Sequence, residues 1–362
     1  MYGISIYPYK EDSKETIEYI DLAAKYGFQR VFTNLLMIEE EKVEETIEKM
    51  KAAIKRARLH QMEVVLDVNP QVFKQLRIDS KDLSFFQKMG ATGIRLDANF
   101  DGLTESLMTY DSTELDIEIN ISNNTGYLEN IISFSANKKK IIGCHNFYPQ
   151  RFTGLDYNYF IECSKKYKKL GIRTAAFVGS QHAIHGPHPH TDGLCTLEMH
   201  RDWDIEMQAK HLIATQLIDD IIIANSFASE DELKRLAALN QEQLELDITF
   251  LETATKLERE IAINNQHLNR GDINSYTIRS SYLRSKYKNA SIPLNSAIDE
   301  LKFGDITIGN DSFGQYKSEL NIVKKDLPNH DHFKNVVARI KEEDLFLISY
   351  IEPWGKFRLR EK

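Results

Sequence analysis

The stretch Glu63-Val64-Val65-Leu66-Asp67-Val68-Asn69-Pro70 decides the fold. Its run of β-branched and apolar residues predicts a short buried strand, and Pro70 predicts where that strand stops. Asp67 and Asn69 alternate with apolar residues at its carboxyl end, so they share one face of the strand. A parallel-sheet protein in which the strands end in polar residues is the first interpretation.

The same pattern recurs through the first two-thirds of the chain, with short β-branched runs alternating with helical segments. Ser13 is predicted to cap a first helix that ends at Gly27, and Glu41–His60 repeats the pattern at greater length. Eight repeats predict a closed (β/α)8 TIM barrel. The predicted strands are Gly3–Tyr7, Arg30–Asn34, Glu63–Val68, Gly93–Asn99, Asp116–Ile121, Ile141–His145, Arg173–Val178 and Asp220–Ala224.

The rhythm changes beyond Leu246, where short strands and turn clusters replace the helical segments. Predicted strands include Gly304–Gly309, Glu319–Val323 and Leu345–Ile351. We therefore expect a barrel domain over residues 1–240 and a small, mainly antiparallel β domain over residues 245–362.

Composition narrows the function classes. The 362 residues include 46 Lys and Arg against 54 Asp and Glu, for a net charge of −8, and the charges are interspersed. Neither nucleic acid nor a membrane surface is therefore an expected partner. The three cysteines form no CxxC pair, and no signal or spanning segment is recognisable, which suits a reducing cytoplasm.

Strands three, four and five each direct a carboxylate toward one mouth of the barrel. These are Asp67, Asp97 and Glu118, with Arg95 one inward position from Asp97. Neighbouring carboxylates push their pKa values apart, which is the division of labour that glycoside hydrolysis requires. The alternative is a satisfied ion network around Arg95. The amides expected beside them as substrate contacts are Asn69, Asn99 and Asn120.

The loops after strands six and seven supply further candidates. His145, Asn146, Tyr148 and Arg151 follow strand six and could contact a sugar, or form a rigid aromatic loop. Ser180 opens a histidine-rich loop over residues 181–190, which is followed by Glu198 and Arg201. A lid that receives an anion is the favoured interpretation of this region. A metal site is the alternative, disfavoured because strand one lacks a His-x-His pair, so no metal or cofactor is expected.

Several separated blocks resemble the bacterial 6-phospho-N-acetylmuramidase family. They are Gly3-Ile4-Ser5-Ile6-Tyr7-Pro8, Cys144-His145-Asn146-Phe147-Tyr148-Pro149, Thr196-Leu197-Glu198-x-His200-Arg201 and Asp311-Ser312-Phe313-Gly314-Gln315-Tyr316. The resemblance implies a cytoplasmic glycosidase that splits the disaccharide of N-acetylmuramic acid 6-phosphate and N-acetylglucosamine during cell-wall recycling. It also implies a cyclophilin-like C-terminal domain. Cys195 departs from the pattern, which has proline there.

The positions of the carboxylates at the strand ends predict which residues take part in catalysis. Asp97 and Glu118 form the predicted catalytic pair, with Asp67 orienting one of them or the substrate. Inward positions on adjacent strands place the two carboxyl groups about 5–6 Å apart, which favours retention of configuration. Arg95 is expected to keep Asp97 ionised, which leaves Glu118 as the more easily protonated acid, although stagger of the strands could reverse these roles or substitute Asp67.

Two other function classes stay open at this point. One is a sugar-phosphate isomerase or aldolase on the same barrel, although no predicted strand ends in the lysine that a Schiff base requires. The other is a non-catalytic sugar-binding protein. In the β domain, Arg279 and Arg284 are possible contacts to a substrate anion.

Overall fold

The computed structural model describes residues 1–37, 43–183, 185–188, 192–295 and 297–362. The chain divides into two compact units. The first comprises Met1–Leu212 and Gln216–Leu239, and the second comprises Ile213–Thr215 and Asn240–Lys362. No helix in the described ranges combines the length and apolar character needed to cross a lipid bilayer.

The first unit is a closed barrel of parallel strands, as the sequence predicted. Each strand pairs with the next, and β8 pairs with β1 to close the ring. Each of the eight strands predicted for the barrel overlaps an observed one. The strands are β1 (Tyr2–Ser5), β2 (Arg30–Asn34), β3 (Glu63–Val68), β4 (Gly93–Leu96), β5 (Asp116–Asn120), β6 (Ile141–Cys144), β7 (Arg173–Val178) and β8 (Asp220–Ile223).

Helices follow the strands around the barrel. Asp12, rather than the predicted Ser13, caps the first helix, because its side chain accepts hydrogen bonds from the backbone N–H groups of Lys14 and Glu15. Part of the predicted start of the second helix, at residues 41–42, lies outside the described residues. The helices are α1 (Ser13–Lys25), α2 (Val43–Leu59), α3 (Pro70–Gln75), α4 (Ser84–Met89), α5 (Leu103–Met108), α6 (Tyr127–Ser133), α7 (Tyr157–Lys169), α8 (Ile205–Thr215) and α9 (Glu230–Ala237).

The second unit is built on a mixed sheet in the order β10-β17-β9-β16-β13-β14-β11, beside a two-stranded ladder of β12 and β15. The pairing of β17 with β9 is parallel and the other pairs are antiparallel, so "mainly antiparallel" holds without being complete. The elements are β9 (Leu244–Phe250), α10 (Lys256–Ile263), β10 (His267–Leu268), β11 (Thr277–Ser280), β12 (Glu300–Leu301), β13 (Asp305–Gly309), β14 (Leu320–Val323), β15 (Leu327–Pro328), β16 (Lys334–Ile340) and β17 (Lys356–Glu361).

The predicted strand at Leu345–Ile351 is wrong. Residues Glu342–Tyr350 form a 3-10 helix instead. Asp344, Leu347 and Ile348 are buried, a spacing near three that suits a 3-10 turn and does not suit a strand. The Asp344 carboxylate also accepts a hydrogen bond from the backbone N–H of Asp247, which fixes the segment against β9.

Buried charges fill the centre of the barrel. Arg30 lies fully buried on β2, where one terminal nitrogen donates to Asp220 at 2.6 Å and the other donates to Glu118. Arg95 on β4 lies next along this column, with its Nε 3.8 Å from Glu118 Oε1. Each guanidinium therefore lies between carboxylates, so the charges compensate one another where water is excluded.

Replacement of Arg30 by methionine tests this column. The change leaves Glu118 without its closest cation and removes one of those beside Asp220, so the free energy of unfolding should fall by about 3–5 kcal/mol. Urea unfolding measures the loss. The matched control is Lys14→Met, because Lys14 pairs with Glu18 at 3.7 Å on the surface and such pairs contribute less than about 1 kcal/mol. Equal effects of the two changes would contradict the importance of the column.

Candidate functional site

A pocket with a volume of about 170 Å³ opens at the carboxyl ends of the barrel strands. Its polar wall comes from β2, β3, β4 and the loop after β6, and its apolar and aromatic wall comes from the neighbouring loops. The lining residues are Asn34, Leu36, Met37, Asp67, Arg95, Asp97, Asn146, Phe147, Pro187 and His188. The pocket lies on the barrel face where TIM-barrel enzymes place their active sites.

Arg95 organises the polar wall. Its Nη1 donates to Asp67 Oδ1 at 2.6 Å and to Asp97 Oδ1 at 3.2 Å, while Nη2 donates to the side-chain oxygen of Asn146. The guanidinium is nearly fully buried, so its position is fixed by these bonds and by Glu118 behind it. One cation thus holds two pocket carboxylates close together.

The two carboxylates differ in their surroundings. Burial raises the pKa of Asp67 from 3.8 to about 7, and the charge of Arg95 only partly opposes this rise. Asp97 adds to the rise through like-charge repulsion. The Asp97 side chain is 39% exposed. The pocket therefore contains one carboxyl group that exchanges its proton near neutral pH and a second one open to solvent.

Glu118 lies elsewhere than the sequence led us to expect. It is fully buried, and it is absent from the described residues that line the pocket. Strand pairing places Asp67 opposite Arg95 and Arg95 opposite Glu118, so all three point inward as predicted. The strands of a barrel are tilted, however, so that each step to the next strand changes the height along the barrel axis by about 3 Å. Glu118 consequently meets Arg30 in the barrel interior.

The cations predicted to receive a substrate anion are already paired. Arg151 forms ion pairs with Asp192 and Asp202, each at 2.8 Å. Arg201 donates two hydrogen bonds of 2.7 Å to Glu198, and it also donates to three backbone carbonyl groups. Both guanidinium groups thus hold loops together.

Glu198 anchors the loop after β6. Its carboxylate accepts hydrogen bonds from the backbone N–H groups of Phe152 at 2.8 Å and Gly154 at 2.7 Å, in addition to those from Arg201. Its pKa falls to about 2, chiefly because of the bonds from Arg201. The loop presents Phe152, which is 84% exposed and has its backbone in the left-handed region, at φ 67°. Glu198 is therefore a loop anchor rather than a pocket residue.

Other predicted site residues have structural partners. His145 is fully buried between Ser122 and Ser164, and burial lowers its pKa to about 3. The Ser180 hydroxyl donates to Glu232. Asn69 caps α3. The backbone N–H of Tyr148 bonds to the Cys195 carbonyl group, and burial raises the pKa of the Tyr148 phenol.

Asn99 and Asn120 line a second, smaller pocket of about 50 Å³. Asn120 also donates to the backbone carbonyl of Asp97 at 3.4 Å, which ties β5 to the end of β4. The two amides therefore line a pocket other than the one that Asp67 and Asp97 line, although Asn120 contacts the backbone of Asp97.

Sequence reasoning missed part of the pocket. Asn34 is the last residue of β2 and pairs in register with Asp67, near the end of β3. The rule that selected polar residues at the ends of strands could therefore have identified Asn34. Leu36 and Met37 gave no signal, because apolar loop residues are common in any barrel. Of the histidine-rich loop, residues 184, 189 and 190 lie outside the described residues, as does Thr191 after it. Among those described, no three His, Cys, Asp or Glu side chains are grouped to hold a metal ion.

Comparison with known proteins adds two kinds of similarity. Residues 2–238 match the family model described as 6-phospho-N-acetylmuramidase, N-terminal, and residues 244–360 match its C-terminal counterpart. A crystal structure of an uncharacterized B. cereus protein is 48% identical, covers 99% of each chain and has a TM-score of 0.89. A conserved Enterococcus faecalis protein with an unknown function is 25% identical over 100% of this chain and 96% of its own, with a TM-score of 0.67. No curated protein matches the chain.

The raised pKa of Asp67 makes stability depend on pH. Between its unfolded value near 4 and its folded value near 7, the folded state binds the extra proton, so stability falls as pH rises through this range. Asp67→Asn removes this cost. The free energy of unfolding of the variant, minus that of wild type, should therefore be about 2–3 kcal/mol higher at pH 8 than at pH 5.

Denaturation at the two pH values measures this difference, and any effect of the lost charge that is independent of pH cancels. The control is Asp82→Asn, because the pKa of Asp82 is lowered by the backbone N–H of Ser84 and lies below the tested range. A pH-independent difference for Asp67→Asn would show that Asp67 is ionised throughout.

Proposed function

The chain belongs to the 6-phospho-N-acetylmuramidase family, and from that membership and the pocket chemistry we propose that it hydrolyses the disaccharide of N-acetylmuramic acid 6-phosphate and N-acetylglucosamine. The observation that carries the proposal is the pair of pocket carboxyl groups, Asp67 and Asp97, held by one arginine. Glycoside hydrolysis requires two carboxyl groups with different protonation behaviour. A Schiff-base aldolase would instead need a lysine at a strand end, and none of the eight predicted barrel strands ends in one.

Asp67 supplies the proton in this proposal. A general acid works best when its pKa lies near the operating pH, and the pKa of Asp67 is about 7. It protonates the glycosidic oxygen and so assists departure of the N-acetylglucosamine unit. The same carboxylate then accepts a proton from the attacking water, as microscopic reversibility requires.

Asp97 is the second carboxylate. Its partial exposure to the pocket lets one of its oxygens attack the anomeric carbon as the bond to the departing oxygen breaks, which forms a glycosyl-enzyme ester that the water then hydrolyses. Because one nitrogen of Arg95 contacts both side chains, Asp67 Oδ1 and Asp97 Oδ1 are less than about 6 Å apart. Retaining glycosidases separate their carboxyl groups by about 5–5.5 Å, and inverting ones by about 6.5–9.5 Å. This favours retention.

Arg95, Asn146 and Glu118 are positioning residues in this scheme. Arg95 fixes the two carboxyl groups, Asn146 fixes the other arm of the guanidinium, and Glu118 compensates the buried charge from behind. The proposal thus keeps Asp97 in the catalytic pair but exchanges Glu118 for Asp67, the substitution that strand stagger left open. The scheme needs no metal or cofactor, since two carboxyl groups supply both roles.

The biological setting follows from the family name alone. A phosphorylated muramyl disaccharide arises when a cell takes up and reuses fragments of its wall, so we place the enzyme in the cytoplasm, in peptidoglycan recycling. We also propose that the mixed sheet of the second unit is the cyclophilin-like domain of this family.

Substrate choice is the first test. The purified protein should release N-acetylmuramic acid 6-phosphate from the β-linked phosphorylated disaccharide, with kcat/KM about 100-fold above that for the unphosphorylated compound, because charge-assisted contacts to phosphate are lost in the latter. Product analysis by mass spectrometry measures the ratio. Proton NMR of the first-formed anomer should show retention. Equal rates on both compounds, or an inverted product, would contradict the corresponding part of the proposal.

The carboxyl pair is tested by amide variants. Asp67→Asn and Asp97→Asn should each lower kcat by at least about 10³-fold, because neither amide can transfer a proton or stabilise positive charge. Glu118→Gln keeps a side-chain oxygen facing Arg30 and Arg95, so turnover should stay within about tenfold, with circular dichroism confirming the fold. In wild type, kcat/KM should decline above about pH 7 as Asp67 ionises.

The opposite pattern decides between the two assignments. A 10³-fold loss in Glu118→Gln together with near-normal turnover in Asp67→Asn would restore the pair predicted from the sequence, Asp97 and Glu118. Normal turnover in all three variants would remove these carboxyl groups from the reaction.

A further inference from the structure

A phosphate group on the substrate needs a cation with donors to spare, and the arginines around the pocket have few. Arg95 is occupied by Asp67, Asp97 and Asn146, and as shown above Arg151 and Arg201 are paired with carboxylates. A dianion at any of these would displace a carboxylate that holds the site or a loop in place.

Lys10 differs from these arginines in the contacts that its charged group makes. It follows β1, is exposed, and its Nζ donates a hydrogen bond to the backbone carbonyl of Pro187, which lines the pocket. Nζ also lies 5.7 Å from the centre of the Tyr9 ring. Within the described residues, no carboxylate lies within ion-pair distance of it. An ammonium group has three donors, so two of them remain available.

His188 directly follows Pro187, whose carbonyl group accepts the hydrogen bond from Lys10, and it also lines the pocket. Burial and the positive charge of Lys10 both lower the pKa of the His188 imidazole. An anion between them would bind the ammonium as a point charge and accept a hydrogen bond from the imidazole.

We propose that Lys10 and His188 bind the phosphate group of the substrate at the rim of the pocket. This assignment rests on the glycosidase function proposed above. The cationic rim and the acidic wall of Asp67 and Asp97 then orient the sugar, because a phosphate dianion is attracted to the first and repelled by the second. The phosphate end therefore lies toward Lys10, and the glycosidic bond lies toward the two carboxyl groups.

Binding measurements test the site without relying on turnover. Isothermal titration with N-acetylmuramic acid 6-phosphate should give a Kd about 10–100-fold weaker for Lys10→Met than for wild type, because a charge-assisted contact is lost. His188→Gln should weaken binding in the same direction. Lys10→Arg should restore most of the affinity. Lys14→Met is the matched control, since it removes the same charge from an exposed lysine four residues away and should leave the Kd at the wild-type value.

Each outcome decides the assignment. Wild-type affinity in Lys10→Met, or an equal loss in Lys14→Met, would overturn it. Loss of affinity in Arg284→Gln but not in Lys10→Met would overturn it in favour of the second unit, where Arg284 and Arg279 share the buried Glu319. A Lys10-dependent Kd in a protein that cleaves neither disaccharide would support the phosphate site and refute the glycosidase function, so the two failures are distinguishable.

Discussion

The buried column of ion pairs, in which Arg30 and Arg95 both face Glu118, is the constraint on which the functional end of the barrel depends. Burying these charges costs several kcal/mol per ion, and apolar side chains could fill the same volume at no lower stability. The contribution of these buried charges is to fix the positions of the side chains that they contact. Glu118 fixes Arg95 from behind, and Arg95 in turn fixes Asp67 and Asp97. The pocket geometry is therefore set by electrostatics inside the barrel rather than by its loops.

Much of the fold could be predicted from the sequence because the barrel repeats one unit. Each strand is short, β-branched and followed by a helical segment, so eight weak signals support one another. The second unit offers no such repetition. At Leu345–Ile351 an apolar run was assigned to a strand, although burial of Asp344, Leu347 and Ile348 belongs to a 3-10 turn. An apolar run of this length does not reveal its period.

The direction of the site side chains could be predicted from the sequence, but their depth within the barrel could not. Alternation along a strand shows that Asp67, Arg95 and Glu118 point inward, but the tilt of the strands decides which of them reaches the pocket. Pairing was equally hidden for Arg151, because Asp192 lies 41 residues away in sequence and approaches only after folding. Rules based on nearby residues predict side-chain direction along one strand. The height of a side chain along the barrel axis and its ion-pair partner depend on how the whole barrel closes.

In the loop after β6, contacts to the backbone hold the loop in place, while the side chain at its tip is exposed. Glu198 accepts a hydrogen bond from the backbone N–H of Phe152, and the residue is mostly exposed, with the Arg151 guanidinium 6.0 Å from the centre of its ring, so the identity of this side chain contributes little to folding. The positive φ admits glycine and asparagine more readily than phenylalanine and disfavours β-branched residues. The tip can therefore vary through evolution at small cost in stability. A chain built in this way can acquire a new outer contact surface by single substitutions while its acidic wall stays unchanged.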